Sequence, residues 1–308
     1  MQTKLIAAGM GTYEALPELD LFDMEYWSLE QAKLGKAAER PLERQVVLIT
    51  GGAGAIGQGI ASACARAGAH VVIVDLDAAA ARAAAKTIEA QHGKGTAFGA
   101  GADVTDEAAM RRAFDQACVA YGGVDVVVPN AGIAFVKPIA ELRLEDARRV
   151  ADVNYLGVLN AIREAVRVFR AQRTGGNIII NASKNVFAPG KDFGAYSASK
   201  AAAHQLGKVA ALELADMGVR VNQINADAVF AHGDVPSGLW AEVGPSRAKS
   251  RGLSTEALPD FYRDRNLLKA RVEAEHVGRA VVFFASNATP TTGATLPVDG
   301  GVAEAFPR

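Results

Sequence analysis

The sequence predicts an α/β fold in which seven parallel strands form a doubly wound sheet with helices on both faces. From Val46 onward, short runs of β-branched residues alternate with longer alanine-rich segments, which is typical of repeated βαβ units. The strand-like runs are almost wholly hydrophobic, as expected of parallel strands covered on both faces. Half of the 308 residues are hydrophobic, enough to bury a core of this size.

The individual elements follow from these two patterns. We expect strands near the β-branched runs 46–50, 71–75, 96–99, 124–129, 177–182, 219–225 and 296–299. We expect helices near the alanine-rich segments 56–67, 78–91, 106–120, 142–171, 195–217 and 274–286. No repeat or low-complexity linker divides this stretch, so it predicts a single domain over residues 46–302.

Three stretches do not follow this alternation of strands and helices. Residues 1–45 contain an aromatic, helix-like run, so we expect a helical extension or connector; a native N-terminus and a truncated interdomain connector both fit. Residues 230–268 form an insertion before the last strand. Because ligands bind beyond the carboxyl ends of strands in open α/β sheets, we interpret this insertion as a substrate lid, with a solvated helical decoration as the alternative. Residues 303–308 form a short C-terminal tail.

The composition excludes several classes of partner. With 33 basic and 34 acidic residues the net charge is −1, so no general field attracts nucleic acid or an anionic membrane. No apolar run approaches the ~20 residues of a membrane span. The only cysteines, Cys64 and Cys118, lie in separate predicted helices, which is typical of a reducing compartment. We therefore expect a cytoplasmic protein that binds neither nucleic acid nor membrane.

A glycine-rich turn joins the first strand to the first helix. The run Gly52-Ala-Gly54-Ala-Ile-Gly57 matches the pattern G-x-G-x-x-G, and it lies between a strand and a helix. In that context, free backbone N–H groups and the positive end of the helix dipole are directed at a pyrophosphate. We therefore predict that a dinucleotide cofactor binds this turn, through Gly51, Gly52, Gly54, Ala55, Ile56 and Gly57.

The end of the second strand indicates which dinucleotide binds. Asp75 lies 18 residues beyond Gly57, where a carboxylate accepts hydrogen bonds from both ribose hydroxyls of NAD and repels the 2′-phosphate of NADP. The next residue, Leu76, offers no cation for that phosphate. We therefore predict NAD as the cofactor. Asp77 is the competing acid, and its position favours a helix N-cap.

The ends of other strands supply further predicted cofactor contacts. A carboxylate after the third strand can accept a hydrogen bond from the adenine amino group, and small residues after the fourth allow close backbone approach. The contacts expected from these positions and from the end of the sixth strand are Asp103, Val104, Asn130, Ala131, Gly132, Asp227 and Val229.

Four residues carry the predicted chemistry. Tyr196 and Lys200 have i, i+4 spacing, which places phenol and ammonium on one helical face, where the cation favours the phenolate. Ser183 ends the fifth strand, so its hydroxyl can meet the phenol over one carbonyl or alcohol oxygen. Asn154 is a predicted buried amide that can kink its helix and hold a water leading to Lys200; a purely structural role fits it equally well.

In order and spacing, these residues resemble the short-chain dehydrogenase/reductase family over residues 46–302. The matching residues are Thr50-Gly51, Gly57, Asp103-Val104, Asn130-Ala-Gly132, Asn154, Ser183, Tyr196, Lys200 and the terminal Thr292-Gly-x-x-x-x-Val-Asp-Gly-Gly301. The resemblance implies a Rossmann-type domain, assembled as a homotetramer or dimer, that transfers a hydride between NAD and a CH–OH group. Tyr196 would be the general acid/base, Ser183 would steady the substrate oxygen, Lys200 would bind the nicotinamide ribose, and Asn154 would hold a proton-relay water.

The sequence departs from the family pattern at two cofactor-facing positions. Ala55 stands where the glycine-rich turn of the family has its middle glycine, which adds one methyl group. Ala226-Asp227 stands where the family usually has Pro-Gly beside the nicotinamide. These departures concern the detailed cofactor contacts and leave the predicted hydride chemistry intact.

A narrower resemblance concerns the unusual parts of the chain. The segments that carry it are Glu25-Tyr-Trp-Ser-Leu-Glu-Gln-Ala-Lys-Leu34, Ser183-Lys-Asn185, Asn225-Ala-Asp-Ala-Val-Phe230 and Phe261-Tyr-Arg-x-Arg-Asn-Leu-Leu268. They are similar to the dehydrogenase half of bacterial bifunctional aldolase/short-chain dehydrogenases, a family linked to rhamnose breakdown. This resemblance implies oxidation of lactaldehyde and suggests a chain detached from an aldolase domain.

The substrate contacts and the alternatives complete the expectations. A small polar substrate is expected to meet Lys184, Asn185, His232 and Trp240, although a solvated loop lysine is equally compatible with Lys184. A secondary-alcohol, polyol or sugar dehydrogenase is the main alternative, and a non-catalytic NAD-binding module is the second. The five histidines are scattered without the spacing of a metal site, so no metal is expected.

Overall fold

The computed structural model describes Asp20 and residues 39–306, and a central sheet organises residues 46–298. The strands are β1 (Val46–Thr50), β2 (His70–Asp75), β3 (Ala97–Gly101), β4 (Val126–Val128), β5 (Gly176–Asn181), β6 (Val219–Ala226), β7 (Ala231–His232), β8 (Val235–Pro236) and β9 (Thr295–Val298). The α-helices are α1 (Ala55–Arg66), α2 (Ala78–His92), α3 (Glu107–Tyr121), α4 (Leu144–Ala151), α5 (Gly157–Gln172), α6 (Gly194–Leu214), α7 (Gly238–Arg251), α8 (Leu258–Asp264) and α9 (Ala274–Ala285).

The sheet topology confirms the predicted fold class. Seven strands lie in the order β3-β2-β1-β4-β5-β6-β9, and all six neighbouring pairs are parallel. From β1 the chain builds outward to β3 on one side and then returns to add β4 on the other side of β1. This reversal opens a crevice at the carboxyl ends of β1 and β4, where open α/β sheets bind ligands.

Two hydrophobic cores flank the sheet, because alternate residues of each strand face opposite sides. Leu48 of β1 packs into the core that contains Phe114 of α3 and Phe169 of α5. Its neighbour Ile49 packs into the opposite core with Ile60 of α1. The doubly wound arrangement predicted from the sequence is therefore present, with α3, α5 and α6 on one face and α1, α2 and α9 on the other.

The long helix predicted over 142–171 is interrupted. It consists of α4 and α5 separated by a π-helical turn, Asp152–Leu156. The turn contains Asn154, which is fully buried and hydrogen-bonds outside its own helix. Hydrophobic periodicity predicts one continuous helix here, because a single π-helical turn adds only one residue to the turn and leaves helix on both sides.

The predicted insertion 230–268 contains the β7–β8 hairpin and two helices, α7 and α8. An aromatic cluster joins these pieces: the ring centroids of Phe230 and Trp240 are 4.6 Å apart, and those of Trp240 and Tyr262 are 5.0 Å apart. The predicted extension 1–45 lies outside the described residues except for Asp20 and 39–45. No helix in the described part of the chain is long and apolar enough to span a membrane.

Helices α1 and α9 approach each other closely through glycines. A Cβ atom added to Gly278 would lie 2.6 Å from the Cβ of Ala63 and 2.6 Å from the carbonyl oxygen of Gly59. A Cβ on Gly59 would lie 2.4 Å from the Cβ of Ala274. These contacts allow no side chain without moving the helices apart.

We therefore expect Gly278→Ala to destabilise the fold by about 1–3 kcal/mol, the usual cost of overpacking a core. Urea unfolding of Gly278→Ala, of a control variant and of the unsubstituted protein measures this cost. Gly238→Ala is the matched control, because a Cβ at that helical position meets no atom within 4 Å. The control should leave the free energy of unfolding the same or slightly higher. Equal losses for the two variants would contradict this packing.

Candidate active site

A cleft of about 520 Å³ opens at the carboxyl ends of the strands. It brings together most of the residues that the sequence singled out. Those that line it are Gly51, Gly54, Ala55, Ile56, Gly57, Asp75, Leu76, Asp103, Val104, Asn130, Ala131, Gly132, Ser183, Lys184, Asn185, Tyr196, Lys200, Asp227, Val229 and Trp240. The predicted site residues outside its lining are Gly52, Asn154 and His232.

The glycine-rich turn forms one end of the cleft. Gly51 has a φ of +61°, and a Cβ on Gly57 would lie 2.4 Å from the carbonyl oxygen of Gly51, so both positions need glycine. Gly54 caps α1 without any side-chain hydrogen bond, which leaves the first N–H groups of the helix facing the cleft. This arrangement suits an anionic group such as a pyrophosphate.

Gly52 does not line the cleft, contrary to the sequence prediction. Its N–H donates to the carbonyl oxygen of Val74 at 3.1 Å, and a Cβ would lie 2.8 Å from the side chain of Ile73. The residue therefore faces the sheet rather than the cofactor side of the turn. Its requirement for glycine comes from packing against β2.

Asp75 lies where the second strand meets this turn. Its Oδ2 accepts from the N–H of Ala53 at 3.0 Å, and its Oδ1 accepts from the N–H of Asp77 at 3.3 Å. These bonds hold the carboxylate at the edge of the cleft beside Leu76, whose side chain is 74% exposed. Asp77 is the N-cap of α2, as expected, and accepts from the N–H groups at the start of that helix.

A chain of hydrogen bonds connects the turn to the far side of the cleft. The backbone N–H of Asn130 donates to the hydroxyl oxygen of Thr50 at 3.0 Å, and the Asn130 side-chain amide donates to the carbonyl oxygen of Gly51 at 3.0 Å. The Asn181 amide donates to Oδ1 of Asn130 at 2.8 Å, and Lys200 Nζ donates to the carbonyl oxygen of Asn181 at 2.9 Å. The ends of β1, β4, β5 and helix α6 are thereby fixed to one another.

Tyr196, Lys200 and Ser183 converge at the far side. Lys200 Nζ lies 5.9 Å from the ring centroid of Tyr196, and burial lowers the pKa of Lys200 to about 8. Burial raises the pKa of the Tyr196 phenol; the hydrogen bond with Ser183 opposes this rise, and the charge of Asp227 adds to it. A phenol with this hydroxyl partner and a nearby ammonium can exchange a proton with a bound alcohol or carbonyl oxygen.

Asn154 lies behind the cleft rather than in it. Its Oδ1 accepts from the N–H of Ile133 at 2.9 Å, and its Nδ2 donates to the carbonyl oxygen of Ile133 and to Oγ of Ser199. A Cβ on Gly132 would lie 3.3 Å from Asn154 Oδ1 and 3.4 Å from Lys200 Nζ. In this structure the side chain braces the loop after β4 against α6; its part in a water relay stays a prediction.

The opposite wall of the cleft comes from the segment after β5 and from the insertion. Lys184 is buried, with Nζ donating to the carbonyl oxygen of Ala188 at 2.9 Å, so the alternative of a solvated lysine is wrong. Asn185 is also buried, 3.4 Å from the hydroxyl of Ser197. Trp240 lines this wall and packs on Phe230.

His232 does not reach the cleft, so its prediction as a substrate contact is wrong for this structure. The β7–β8 hairpin places it in a second cavity of about 430 Å³, on the other side of a wall that includes Asp227 and Tyr262. The antiparallel pairing of His232 with Val235 holds the histidine in this hairpin, outside the lining of the cleft.

Asp227 is held by an ion pair that the sequence did not predict. Both of its carboxylate oxygens accept from Nη2 of Arg265, at 2.5 and 2.6 Å. The guanidinium of Arg265 lies 4.2 Å from the ring centroid of Tyr262. Asp227 thus lines the cleft at the position where the family usually has the glycine of Pro-Gly; its contact with the cofactor stays a prediction.

Sequence reasoning missed Arg247, which lines the cleft and is 3% exposed. Its Nε donates to the hydroxyl of Tyr262 and its Nη1 to the carbonyl oxygen of Lys191, each at 3.2 Å. The guanidinium lies 5.3 Å from the ring centroid of Phe193. Arg247 belongs to the charge-rich helix α7, and nothing in that composition distinguishes a buried arginine from an exposed one.

No cysteine or metal site contributes to the cleft within the described residues. Cys64 is buried in α1, where desolvation raises its pKa to about 12, and neither it nor Cys118 lines the cleft. No group of three or more His, Cys, Asp or Glu side chains in this part of the chain is arranged to hold a metal ion.

Comparison with protein families gives two matches. The family described as short chain dehydrogenase matches residues 45–233. A second family, described as aldolase class II, second domain, matches residues 1–34. The second match is consistent with the resemblance to bifunctional aldolase/dehydrogenases.

Individual relatives match most of the chain. An uncharacterized oxidoreductase of Bacillus subtilis, YuxG, is 38% identical over 98% of this chain, which spans 44% of that relative. The L-2,3-butanediol dehydrogenase of Corynebacterium glutamicum is 36% identical over 84% of this chain and 98% of its own length. The crystal structure of sorbitol-6-phosphate 2-dehydrogenase SrlD from Erwinia amylovora superposes with a TM-score of 0.77 at 29% identity, covering 83% of this chain and 99% of that one.

The ion pair between Asp227 and Arg265 predicts a stability effect. The Asp227 side chain is 4% exposed and that of Arg265 21% exposed, so Arg265→Met leaves a buried carboxylate unpaired and should cost about 2–4 kcal/mol. The double variant Asp227→Asn/Arg265→Met removes the stranded charge and should recover much of that loss. Urea unfolding of the four proteins in this cycle measures the coupling; additive losses would contradict it.

Proposed function

This chain belongs to the short chain dehydrogenase family, and we propose that it is an NAD-dependent dehydrogenase of a small polar alcohol or hydroxyaldehyde. It is an oxidoreductase, as are the named dehydrogenases that match more than four fifths of this chain. The observation that carries the proposal is that one cleft holds an anion-binding turn with Asp75 at one end and Tyr196 with Ser183 and Lys200 at the other.

The residues at the first end fit NAD. The uncapped N-terminus of α1 and the absence of side chains at Gly51 and Gly57 suit a pyrophosphate. The Asp75 carboxylate would accept from the ribose hydroxyls, and it would repel a 2′-phosphate. Leu76 supplies no compensating cation. When bound, NAD would accept a hydride from the substrate carbon.

The residues at the second end would move the proton. Tyr196, as phenolate, would take the hydroxyl proton of the alcohol while the hydroxyl of Ser183 donates to the same oxygen. The ammonium of Lys200 favours the phenolate electrostatically. Its bond to the Asn181 carbonyl holds that charge in place. In reduction the same phenol would return the proton to the carbonyl oxygen.

Lactaldehyde is the leading substrate of this proposal. Its support is the aldolase match at residues 1–34 and the resemblance to aldolase-linked dehydrogenases. Within the described residues no cysteine lines the cleft to form a thiohemiacetal, so the aldehyde would react as its hydrate. The gem-diol carbon would lose a hydride to NAD and one hydroxyl proton to Tyr196, which leaves a carboxylic acid. A secondary alcohol or polyol is the second candidate, favoured by the names of the butanediol, sorbitol-phosphate and threitol dehydrogenases among the relatives.

We further propose that the enzyme works as a cytoplasmic homo-oligomer, a tetramer or dimer, with an aldolase domain as its functional partner. Residues 230–268 would serve as a lid over the substrate, because Trp240, Arg247 and Tyr262 of this insertion line the cleft. The proposed catalytic domain comprises residues 46–302.

A substrate panel tests the choice of substrate. Formation of NADH is followed with lactaldehyde, propane-1,2-diol, butane-2,3-diol, threitol and sorbitol at equal concentration. The proposal expects the highest kcat/KM with lactaldehyde. Turnover of the diols or the sugar alcohols alone, without turnover of lactaldehyde, would establish the second candidate instead.

Tyr196→Phe tests the assignment of the base. Removing the phenol oxygen should lower kcat by at least about 10²-fold, the usual contribution of general acid–base catalysis, and leave the Kd for NAD unchanged. Tyr121→Phe is the matched control, because Tyr121 ends α3 outside the cleft lining. Steady-state kinetics and NAD titration by calorimetry give the two readouts. Full turnover in the Tyr196 variant would refute the assigned base.

Asp75→Asn tests the cofactor preference. The amide keeps the shape and one oxygen acceptor of the carboxylate, but it removes the charge that repels a 2′-phosphate. We expect the wild-type enzyme to prefer NAD. In the variant, the ratio of kcat/KM with NAD to kcat/KM with NADP should fall at least about tenfold. The measurement is kcat/KM with NAD and with NADP for both proteins. Equal use of the two cofactors by the wild type would contradict the role of Asp75.

A further inference from the structure

Two buried cations line the substrate wall of the cleft. Lys184 is 8% exposed and Arg247 is 3% exposed, and both belong to the same cavity as Tyr196 and Ser183. Lys184 follows Ser183 directly in the sequence, and both residues line this cleft.

Neither cation forms an ion pair within the described part of the chain. The one buried carboxylate in this wall, Asp227, pairs with Arg265. Glu304 also acts on Lys184 electrostatically, but it lies on an exposed turn. Three cations therefore share a single buried carboxylate at this wall, and a buried charge without a counter-ion is costly.

The hydrogen bonds of the two cations leave donors free. Among the described residues, Lys184 Nζ uses one of its three N–H groups, on the carbonyl oxygen of Ala188. Arg247 uses Nε on Tyr262 and Nη1 on the carbonyl oxygen of Lys191, and its Nη2 has no such bond among the described residues. Neutral donors would suffice to hold those carbonyl groups. The excess of charge and of donors indicates a ligand with the opposite charge.

We propose that Lys184 and Arg247 form an anion-binding site that receives a carboxylate or phosphate group of the substrate or product. The inference rests on the proposed dehydrogenase function, because it assigns a substrate class to the same cleft. Within the small polar hydroxy compounds it selects those that carry an oxyanion or, as with hydrated lactaldehyde, acquire one on oxidation.

The charge state of the site supports this role. Burial and then the charges of Arg265 and Arg247 lower the pKa of Lys184 to about 8, while Asp227 and Glu304 oppose the shift. Lys184 is therefore still mainly an ammonium at neutral pH, and arginine stays charged at any pH of interest. A bound anion would supply the missing counter-charge.

Calorimetric titration with NADH present tests the proposal. Saturating NADH fills the pyrophosphate-binding turn, so a further anion must bind elsewhere. The probes are inorganic phosphate and L-lactate, with propane-1,2-diol as the uncharged analogue of lactate. We expect at least one anion to bind, and the diol to bind at least about tenfold more weakly. Binding of lactate alone identifies a carboxylate site, and binding of phosphate alone a phosphate site.

Charge-removing variants assign that binding to the two residues. Lys184→Met should weaken the anion at least about tenfold, and Lys184→Arg should restore part of it. Arg247→Met tests the second cation in the same way. If that variant fails to fold, Arg247→Lys is used, which keeps the positive charge and changes the hydrogen-bonding geometry. Lys191→Met is the matched control. Lys191 is exposed and does not line the cleft, so this substitution removes the same charge outside the proposed site.

The outcomes separate this inference from the proposed function. Equal anion binding by the wild type, Lys184→Met and Arg247→Met would overturn the inference, as would NADH binding without any anion binding. Failure of NADH to bind would overturn the proposed function instead. In that case the same titrations are made without NADH. Anion binding that is lost in Lys184→Met and Arg247→Met would then support the anion site independently of the proposed function.

Discussion

A line of hydrogen bonds from Thr50 through Asn130 and Asn181 to Lys200 ties together the carboxyl ends of three strands and one helix. Each group in it is at least partly buried, so an unmade bond would cost more than an ordinary surface contact. These bonds join the loops that follow β1 and β4 to the end of β5 and to α6. The glycine-rich turn and the tyrosine therefore keep a constant relation across the cleft.

The chemistry proposed for the cleft depends on that constancy. A dinucleotide must extend from Asp75 at one end to the neighbourhood of Tyr196 at the other, so a shift between the strand ends would misplace the reacting carbon. Asn154 adds a second brace by binding Ile133 and Ser199, which connects the loop after β4 to α6. The substrate wall is built differently, from an insertion held by aromatic packing and the Asp227–Arg265 pair. The cofactor end of the cleft is therefore held by hydrogen bonds between strand ends, whereas the substrate wall depends on the packing of the insertion.

The parts of the structure that the sequence predicted are those governed by local patterns. The seven strands and their glycine-rich turn follow from β-branched runs and from one motif in its strand–helix context. The π-helical turn at Asn154 was not predicted as such, because it depends on a partner, Ile133, that is distant in sequence. Gly52 and His232 were assigned to the site by proximity in sequence, and backbone direction sends both elsewhere. Arg247 reaches the cleft only through the tertiary packing of the insertion.

A crystal structure of the protein with NAD bound tests the central claim most directly, because that claim concerns one cleft with two chemically distinct ends. We expect the adenosine ribose hydroxyls to bind the Asp75 carboxylate, the pyrophosphate to lie at the N-terminus of α1, and the nicotinamide to lie beside Tyr196 and Val229. Nucleotide bound in the second cavity that contains His232, or a nicotinamide directed away from Tyr196, would contradict it.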